Sequence, residues 1–334
     1  MPYIILAIES SCDDTSCAIC VDGNIIANVV ATQKIHEEYG GVVPELASRS
    51  HLQNIIPVVD AAIRKANISK KEINAIAFTQ GPGLLGSLLV GGMFAKGLAQ
   101  SLEIPLIAVH HMQAHILAHF IDNPKPSFPF LCLTASGGHT QLVVVKNYLE
   151  MEIIGQTIDD AVGEAFDKTA KMLGLPYPGG PLIDQYAKLG NKHQYKFSEP
   201  KIADFDFSFS GFKTQVLYFL EKNKKNNTQF IEENLHDICA SVQYNLIHIL
   251  INKLKKAALF YQIKEIAIAG GVAANSELRT QLQQTAEALN WNVYIPAFQY
   301  CTDNAAMIAI TAYFKFLKQD FCTIDTPIQA RLNY

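Results

Sequence analysis

Four histidines stand within the eleven residues Val109–His119, VHHMQAHILAH. His111 and His115 are four apart, so on a helix they share a face and two imidazoles can hold one ion. A zinc-protease helix has this spacing in H-E-x-x-H, with the Glu as general base. Here Met112, Gln113 and Ala114 intervene, so hydrolysis of that kind lacks its base. A pair of partly buried histidines with ordinary hydrogen bonds explains the spacing equally well. His110, at a strand end, and His119, a turn further on, read as structural. A third ligand is available in Asp303 of YCTDNAAM, which follows a strand and opens a helix. A plain helix N-cap is the alternative for Asp303, because Asp is favoured there.

Three glycine turns carry a second kind of chemistry: ASGGHT (Ala135–Thr140), PGGP (Pro178–Pro181) and AGGVAAN (Ala269–Asn275). Glycine lets backbone N–H groups approach a phosphate, and a helix N-terminus adds a favourable dipole. With Asp167 and Asp184 available for ribose hydroxyls, the set suggests a nucleotide. None matches the P-loop G-x-x-x-x-G-K-[ST], and none is a Rossmann fingerprint followed by an acidic residue. ESSCDDT (Glu9–Thr15) is dense in hydroxyls and carboxylates, and reads either as a phosphate-facing turn or as a polar hairpin turn. Cys12, Cys17 and Cys20 mimic a ferredoxin spacing. Cys17 and Cys20 lie in an apolar strand and point to opposite faces, however, and the next cysteine is Cys132.

These residues need a scaffold, and the hydrophobic pattern supplies an α/β one. YIILAIES, SCAICV and IIANVVAT read as strands, with an Asp22-Gly23 hairpin turn between the last two. Helix, strand, helix, strand follow and deliver the histidine segment. PFLCLTAS, TQLVVVK and MEIIGQT begin a second round of the same order. Such a duplication predicts two α/β lobes with a cleft between them, a preferred ligand location. The N-terminal lobe is expected over residues 1–115, completed by a C-terminal helix over about 305–334, and the C-terminal lobe over 116–304. Residues 188–214 read as an irregular insertion, and KNKKNN and KLKK as solvated basic faces.

The chain has 334 residues, 49% of them apolar and 17% charged, with a net charge of −4. That excludes a disordered chain and a uniformly basic nucleic-acid binder. The start lacks a positively charged, apolar leader, and Leu84–Leu98 is too short and too broken by glycine to span a bilayer. Seven cysteines without a paired framework suit a reducing compartment. A cytoplasmic protein with no membrane partner is expected.

Taken in order, AIESSCDDT, GGVVPELASRSH, TQGPGLLGSLLVG, HHMQAH, ASGGHTQL, DDAVGEAFDKTAKMLGLPYPGGP, FSFSGFKT and AGGVAANSELR span almost the whole chain. Together they resemble the TsaD family, the tRNA N6-adenosine threonylcarbamoyltransferases, of bacterial type. The resemblance implies a duplicated actin-like fold of the ASKHA, ATPase type. It implies transfer of threonylcarbamoyl from threonylcarbamoyl-AMP to N6 of adenosine 37 in tRNAs reading ANN codons, with release of AMP. By its motifs, His111, His115 and Asp303 would hold one divalent ion, Fe2+ or Zn2+. Thr134, Ala135, Ser136, Gly137 and Gly138 would form the substrate loop. Asp167, Gly180, Asp184 and Asn275 would contact the nucleotide, where ATP or AMP can also sit. Asp13 or Asp14 is the candidate proton acceptor. The family works with TsaB, a shorter paralogue, and TsaE, an ATPase. The glycine-spaced run Gly86–Ala99 is the expected docking helix for the paralogue, with packing inside its own lobe as the alternative. The chain departs from the family in Gln113-Ala114, where Glu-Gly is usual, and in Asp14, where Glu is common. Two other readings share parts of the pattern: a small-molecule kinase of the same fold, which would not need the His–His–Asp set, and a non-catalytic scaffold subunit.

Overall fold

The computed structural model describes residues 2–334, and two units divide the chain. The first takes in the chain up to Lys125, with Asn147–Met151 and Pro296–Tyr334; the second is Pro126–Lys146 with Glu152–Ile295. Residues 116–125 and 296–304, assigned to the second lobe from sequence, therefore cluster with the first unit.

The first unit runs β1 (Ile4–Glu9), β2 (Thr15–Val21), β3 (Asn24–Ala31), α1 (Ile35–Tyr39), α2 (Pro44–Ala66), β4 (Ala75–Gly81), α3 (Leu85–Leu102), β5 (Leu106–His110) and α4 (His111–Leu117). Its strands lie in the order β3-β2-β1-β4-β5, with β1, β4 and β5 parallel. Asp22 and Gly23 both take positive φ, 49° and 82°, as a tight hairpin between right-twisted strands requires. All six residues of β1 are buried, the signature of a parallel strand covered on both faces.

The second unit runs β6 (Phe130–Ala135), β7 (Thr140–Asn147), β8 (Glu150–Gln156), α5 (Val162–Met172), α6 (Gly179–Ala187), α7 (Ser210–Lys224), α8 (Phe230–Tyr261), β9 (Glu265–Ala269), α9 (Ser276–Leu289) and β10 (Asn292–Tyr294). Its strand order is β10-β9-β6-β7-β8, with β6 antiparallel to β7 and parallel to β9. Read from the hairpin side, the two sheets have one topology, so the duplication of element order extends to strand pairing. The chain then returns as α10 (Ala305–Leu317) to the first unit.

Alternation along β1 sorts the first core. Ile4, Leu6 and Ile8 pack with Ile55, Val59 and Ile63 of α2, whereas Ile5 and Ala7 pack with Met307, Ile308 and Ala312 of α10. Cys17 and Cys20 fall on these opposite faces. They cannot share a cluster.

The α3 glycines belong to the lobe's own packing. A Cβ on Gly91 would stand 2.2 Å from Ser10 Oγ, which is itself held by the Ser87 carbonyl at 2.9 Å. One on Gly92 would stand 2.5 Å from Ile328 Cδ1. The expectation that these glycines admit a partner helix is corrected: the space is filled from within. Gly97 is exposed and has no atom within 4 Å of a Cβ position. Gly91→Leu and Gly92→Leu are each expected to destabilise the protein by about 1–3 kcal/mol or more. Gly97→Ala should stabilise it by roughly 0.5–1 kcal/mol. Thermal denaturation of the three variants checks the sign at each position.

Candidate functional site

Strand β5 ends at His110, and α4 begins at the next residue. His110 makes that junction. Its Nδ1 accepts the N–H groups of Met112 (3.2 Å) and Gln113 (3.4 Å), and its Nε2 donates to the Leu332 carbonyl at 3.1 Å. It caps the helix, in keeping with its structural reading, and sets the direction in which His111 and His115 project.

Asp303 Oδ1 lies 3.5 Å from His111 Nε2 and 3.2 Å from His115 Nε2. Among the described residues this is the group of His, Cys, Asp and Glu side chains able to hold an ion, with ligand atoms all within 4.8 Å of one another. A tetrahedral ion with bonds of about 2.0–2.1 Å separates its ligand atoms by about 3.3 Å. The two separations to Asp303 fit, and the third, between the two imidazole nitrogens, lies within 4.8 Å. The N-cap alternative for Asp303 fails, because Asn304 caps α10 through the Met307 N–H at 3.1 Å. His115 Nε2 is turned to Asp303, and its Nδ1 is buried without a hydrogen-bond partner.

Glu9, the last residue of β1, completes the arrangement, and sequence reasoning missed it. Its carboxylate is fully buried and accepts from Ser11 N–H, Thr79 Oγ1 (2.6 Å) and His111 Nδ1 (3.1 Å). A carboxylate on Nδ1 leaves Nε2 as the ligand atom and fixes the ring. Burial alone would lower the His111 pKa, but the Glu9 and Asp303 carboxylates outweigh it and raise it to about 9. Burial likewise opposes ionisation of Glu9, and the imidazolium beside it holds its pKa below the usual carboxylate value. The available signal was a single Glu closing an otherwise apolar strand.

The turn after β1 carries Asp13 and Asp14. His51 of α2 pins it, with Nε2 on the Cys12 carbonyl (2.9 Å) and Nδ1 on Thr15 Oγ1 (2.7 Å). Asp14 Oδ1 is buried without a hydrogen-bond partner. Burial, then the nearby charges of Asp13 and Asp303, push the Asp14 pKa up to about 7.

In the second unit, Thr134 and Ala135 are buried at the end of β6, and Ser136, Gly137 and Gly138 form the accessible turn beyond it. Ser136 N–H donates to the His139 carbonyl (2.8 Å), and the His139 N–H donates back to Ser136 Oγ (3.1 Å). No atom lies within 4 Å of a Cβ position on Gly137 or Gly138, so neither is required for packing. Gly270 is required: φ is 85°, and a Cβ would meet the Ala135 carbonyl at 2.4 Å. Thr134 pairs with Ala269, so both glycine turns leave the carboxyl ends of neighbouring parallel strands, where α/β sheets bind ligands.

The other nucleotide candidates are joined to that edge by structural bonds. Asp167 Oδ1 accepts the N–H groups of Gly179 (2.9 Å) and Gly180 (3.2 Å), capping α6. Asp184 Oδ1 accepts from Ser276 N–H (3.2 Å) and Oγ (2.6 Å). Asn275 caps α9 at the Leu278 N–H (3.1 Å) and donates to Gln243 Oε1 (3.1 Å). No described helix is long and apolar enough to cross a membrane.

Residues 24–310 match the family model for TsaD, tRNA N6-adenosine threonylcarbamoyltransferase. The chain is 60% identical over 333 residues to the tRNA N6-adenosine threonylcarbamoyltransferase of Christiangramia forsetii, covering 99% of this chain and 98% of that one. Two solved structures share the fold alone. Full-length HypF in its phosphate- and nucleotide-bound form has a TM-score of 0.64 at 12% identity, over 94% of this chain and 46% of its own. Component A of the Acidaminococcus fermentans (R)-2-hydroxyglutaryl-CoA dehydratase has a TM-score of 0.55 at 16% identity, over 94% and 98%. The fold is the duplicated actin-like one, of ASKHA type.

Replacing His115 or Asp303 by Ala is expected to reduce bound metal to background while circular dichroism stays native; His111→Ala should do the same at a lower melting temperature, because it also removes a donor to buried Glu9. Glu9→Gln should weaken metal affinity about 10–100-fold. Elemental analysis after dialysis measures both. Metal binding must also displace the proton that His111 holds below pH 9 or so. Affinity should therefore climb toward tenfold per pH unit between pH 7 and 9 and level off above. Calorimetric titrations in buffers of different ionisation enthalpy should detect one proton released per ion; a flat pH profile would contradict the assignment.

Proposed function

The chain belongs to the TsaD family of tRNA N6-adenosine threonylcarbamoyltransferases, a transferase family acting on tRNA, and from this we propose the following reaction. The threonylcarbamoyl group of threonylcarbamoyl-AMP passes to N6 of adenosine 37 in ANN-decoding tRNAs. A new N–C bond forms at the carbamoyl carbon, the C–O bond to the phosphate breaks, AMP leaves, and N6 loses a proton. The observation that carries the reading is the His111–His115–Asp303 set, which a small-molecule kinase of this fold would not need and a bare scaffold would not keep.

His111, His115 and Asp303 would hold one divalent ion, Zn2+ or Fe2+. When bound, the ion supplies Lewis acidity toward a carbonyl oxygen. Glu9 keeps the His111 ring oriented, and His110 keeps the helix start in place. The backbone of Ser136–Gly138 is open to an anionic ligand, which suits the adenylate. Asp167, Gly180, Asp184 and Asn275 would contact the nucleotide, held beside that turn by their own hydrogen bonds, with ATP or AMP as further occupants. An exocyclic amine is a weak nucleophile, so positioning must supply much of the acceleration. Asp14 is a better candidate than Asp13 for accepting its proton, because burial raises its pKa above the usual carboxylate value and makes it the stronger base.

A TsaB-type paralogue and a TsaE-type ATPase complete the proposed cytoplasmic system. For the paralogue, the docking face is the exposed apolar stripe of α2 and α3 rather than the α3 glycines. Leu52 and Ile56 stand one turn apart on α2, and Leu85, Leu89 and Met93 follow at the same interval on α3, all exposed. Such a surface is unusual for a chain acting alone.

The purified chain, given threonylcarbamoyl-AMP and unmodified ANN-decoding tRNA with its partners, is expected to form threonylcarbamoyladenosine detectable by nucleoside mass analysis. His115→Ala should lower this by at least about 100-fold, and Asp14→Asn by about 100–10,000-fold. Ile56→Glu with Met93→Glu should abolish stimulation by the paralogue and leave metal content unchanged. No modified nucleoside with all partners present, or phosphorylation of a small molecule instead, would overturn the reading.

A further inference from the structure

The sequence between α6 and the end of α7 is the basic part of an acidic chain. Residues 188–225 hold eight lysines and four acidic residues, a balance of +4 within a chain of net −4. Lys192 pairs with Glu277 at 2.9 Å, and Lys213 lies 3.8 Å from Asp160. The other six, Lys188, Lys196, Lys201, Lys222, Lys224 and Lys225, are exposed and make no ion pair among the described residues.

The segment is fixed in place. Tyr195 packs on Phe219 (4.8 Å between ring centroids), and Phe197 packs on Phe212 (5.3 Å) and Phe219 (5.6 Å). Ser198 N–H donates to Gln215 Oε1 at 2.8 Å. Cations on an ordered scaffold lose less freedom when they bind than cations on a free loop. On α7, Tyr218, Lys222 and the C-cap Lys225 stand at i, i+4 and i+7 and share one face. Glu221, on the flank of that face, is the one acidic residue of the helix. Lysines in a last helical turn are explained by the helix dipole alone. A tyrosine 66% exposed in the turn before them is not.

An exposed ring beside unpaired cations is what single-stranded nucleic acid needs, a base on the ring and phosphates on the ammonium groups. We propose that α7 and its lead-in loop form a tRNA-contacting surface, on which Tyr218 stacks on an unpaired base and Lys222 and Lys225 hold adjacent phosphates. The inference rests on the proposed tRNA reaction, adds where the RNA lies, and revises the reading of KNKKNN as a merely solvated run.

The test uses the full chain with its partner proteins, unmodified tRNA and saturating threonylcarbamoyl-AMP. Tyr218→Ala, and Lys222→Gln with Lys225→Gln, are expected to raise the KM for tRNA about tenfold with kcat little changed, the mark of lost uniform binding. The lysine pair should also flatten the salt dependence of tRNA binding by about 1.5 in log–log slope. Lys70→Gln with Lys71→Gln, on the first unit, serves as the control and should change neither. A tRNA KM within about twofold of the parent in both α7 variants, or an equal rise in the control, overturns the proposal. So does loss of partner binding with tRNA affinity intact, which would make the face a protein interface. If the parent yields no modified nucleoside, the reaction itself has failed; tRNA anisotropy with parent and variants then still decides the surface.

Discussion

An ionised carboxylate buried in a protein interior costs several kcal/mol unless donors surround it. Glu9 is such a group, and the first unit is assembled so that three donors reach it. One comes from the turn after β1, one from β4 and one from the first residue of α4. The parallel pairing of β1, β4 and β5 brings these points together. The same contact orients His111, whose Nε2 then faces Asp303. Removing any donor would leave charge uncompensated in the core, so the electrostatics that stabilise the strand ends also hold the candidate ligands in register.

The two sheets share one topology but place different chemistry at their strand ends. In the first unit, the ends of β1 and β5 lead into carboxylates and histidines that converge through side chains. In the second, the ends of β6 and β9 open into glycine turns that offer backbone. This division matches what each proposed ligand would demand. A metal ion needs a few strong donors at about 2 Å, which only side chains from several elements can bring together. A phosphate needs N–H groups at close approach, which a turn without Cβ atoms supplies locally.

Glycine accordingly has two meanings in this chain. Gly91, Gly179 and Gly270 are required by their own surroundings, because a Cβ at each would overlap a neighbour. Gly137 and Gly138 are not; space is open around both. A residue that packing does not require in an accessible turn is more informative about ligand approach than one that packing dictates. The distinction also moves the expected partner surface from the α3 glycines to the exposed leucines, isoleucine and methionine of α2 and α3.

What the sequence by itself determined was local. The i, i+4 spacing put His111 and His115 on one helix face, Asp22-Gly23 specified a hairpin, and alternation in β1 divided its side chains between two cores. Each of these depends on backbone periods that a few residues set. The order of motifs also carried the family, and with it the expectation of Asp303 as a third ligand. Tertiary structure decided the rest. Glu9 meets His111 across 102 positions, and His115 meets Asp303 across 188. Whether Asp303 or its neighbour Asn304 caps α10 could not be settled from residue types, since both favour that place; the fold gave the cap to Asn304 and left Asp303 facing the histidines. Asp167 reads as a ribose contact in the sequence; that its carboxylate also caps α6 is added by the structure, because the approach of α5 to α6 that brings it to two N–H groups is a matter of packing. Periodicity reaches only along one element, whereas these partners are set by which strands lie side by side.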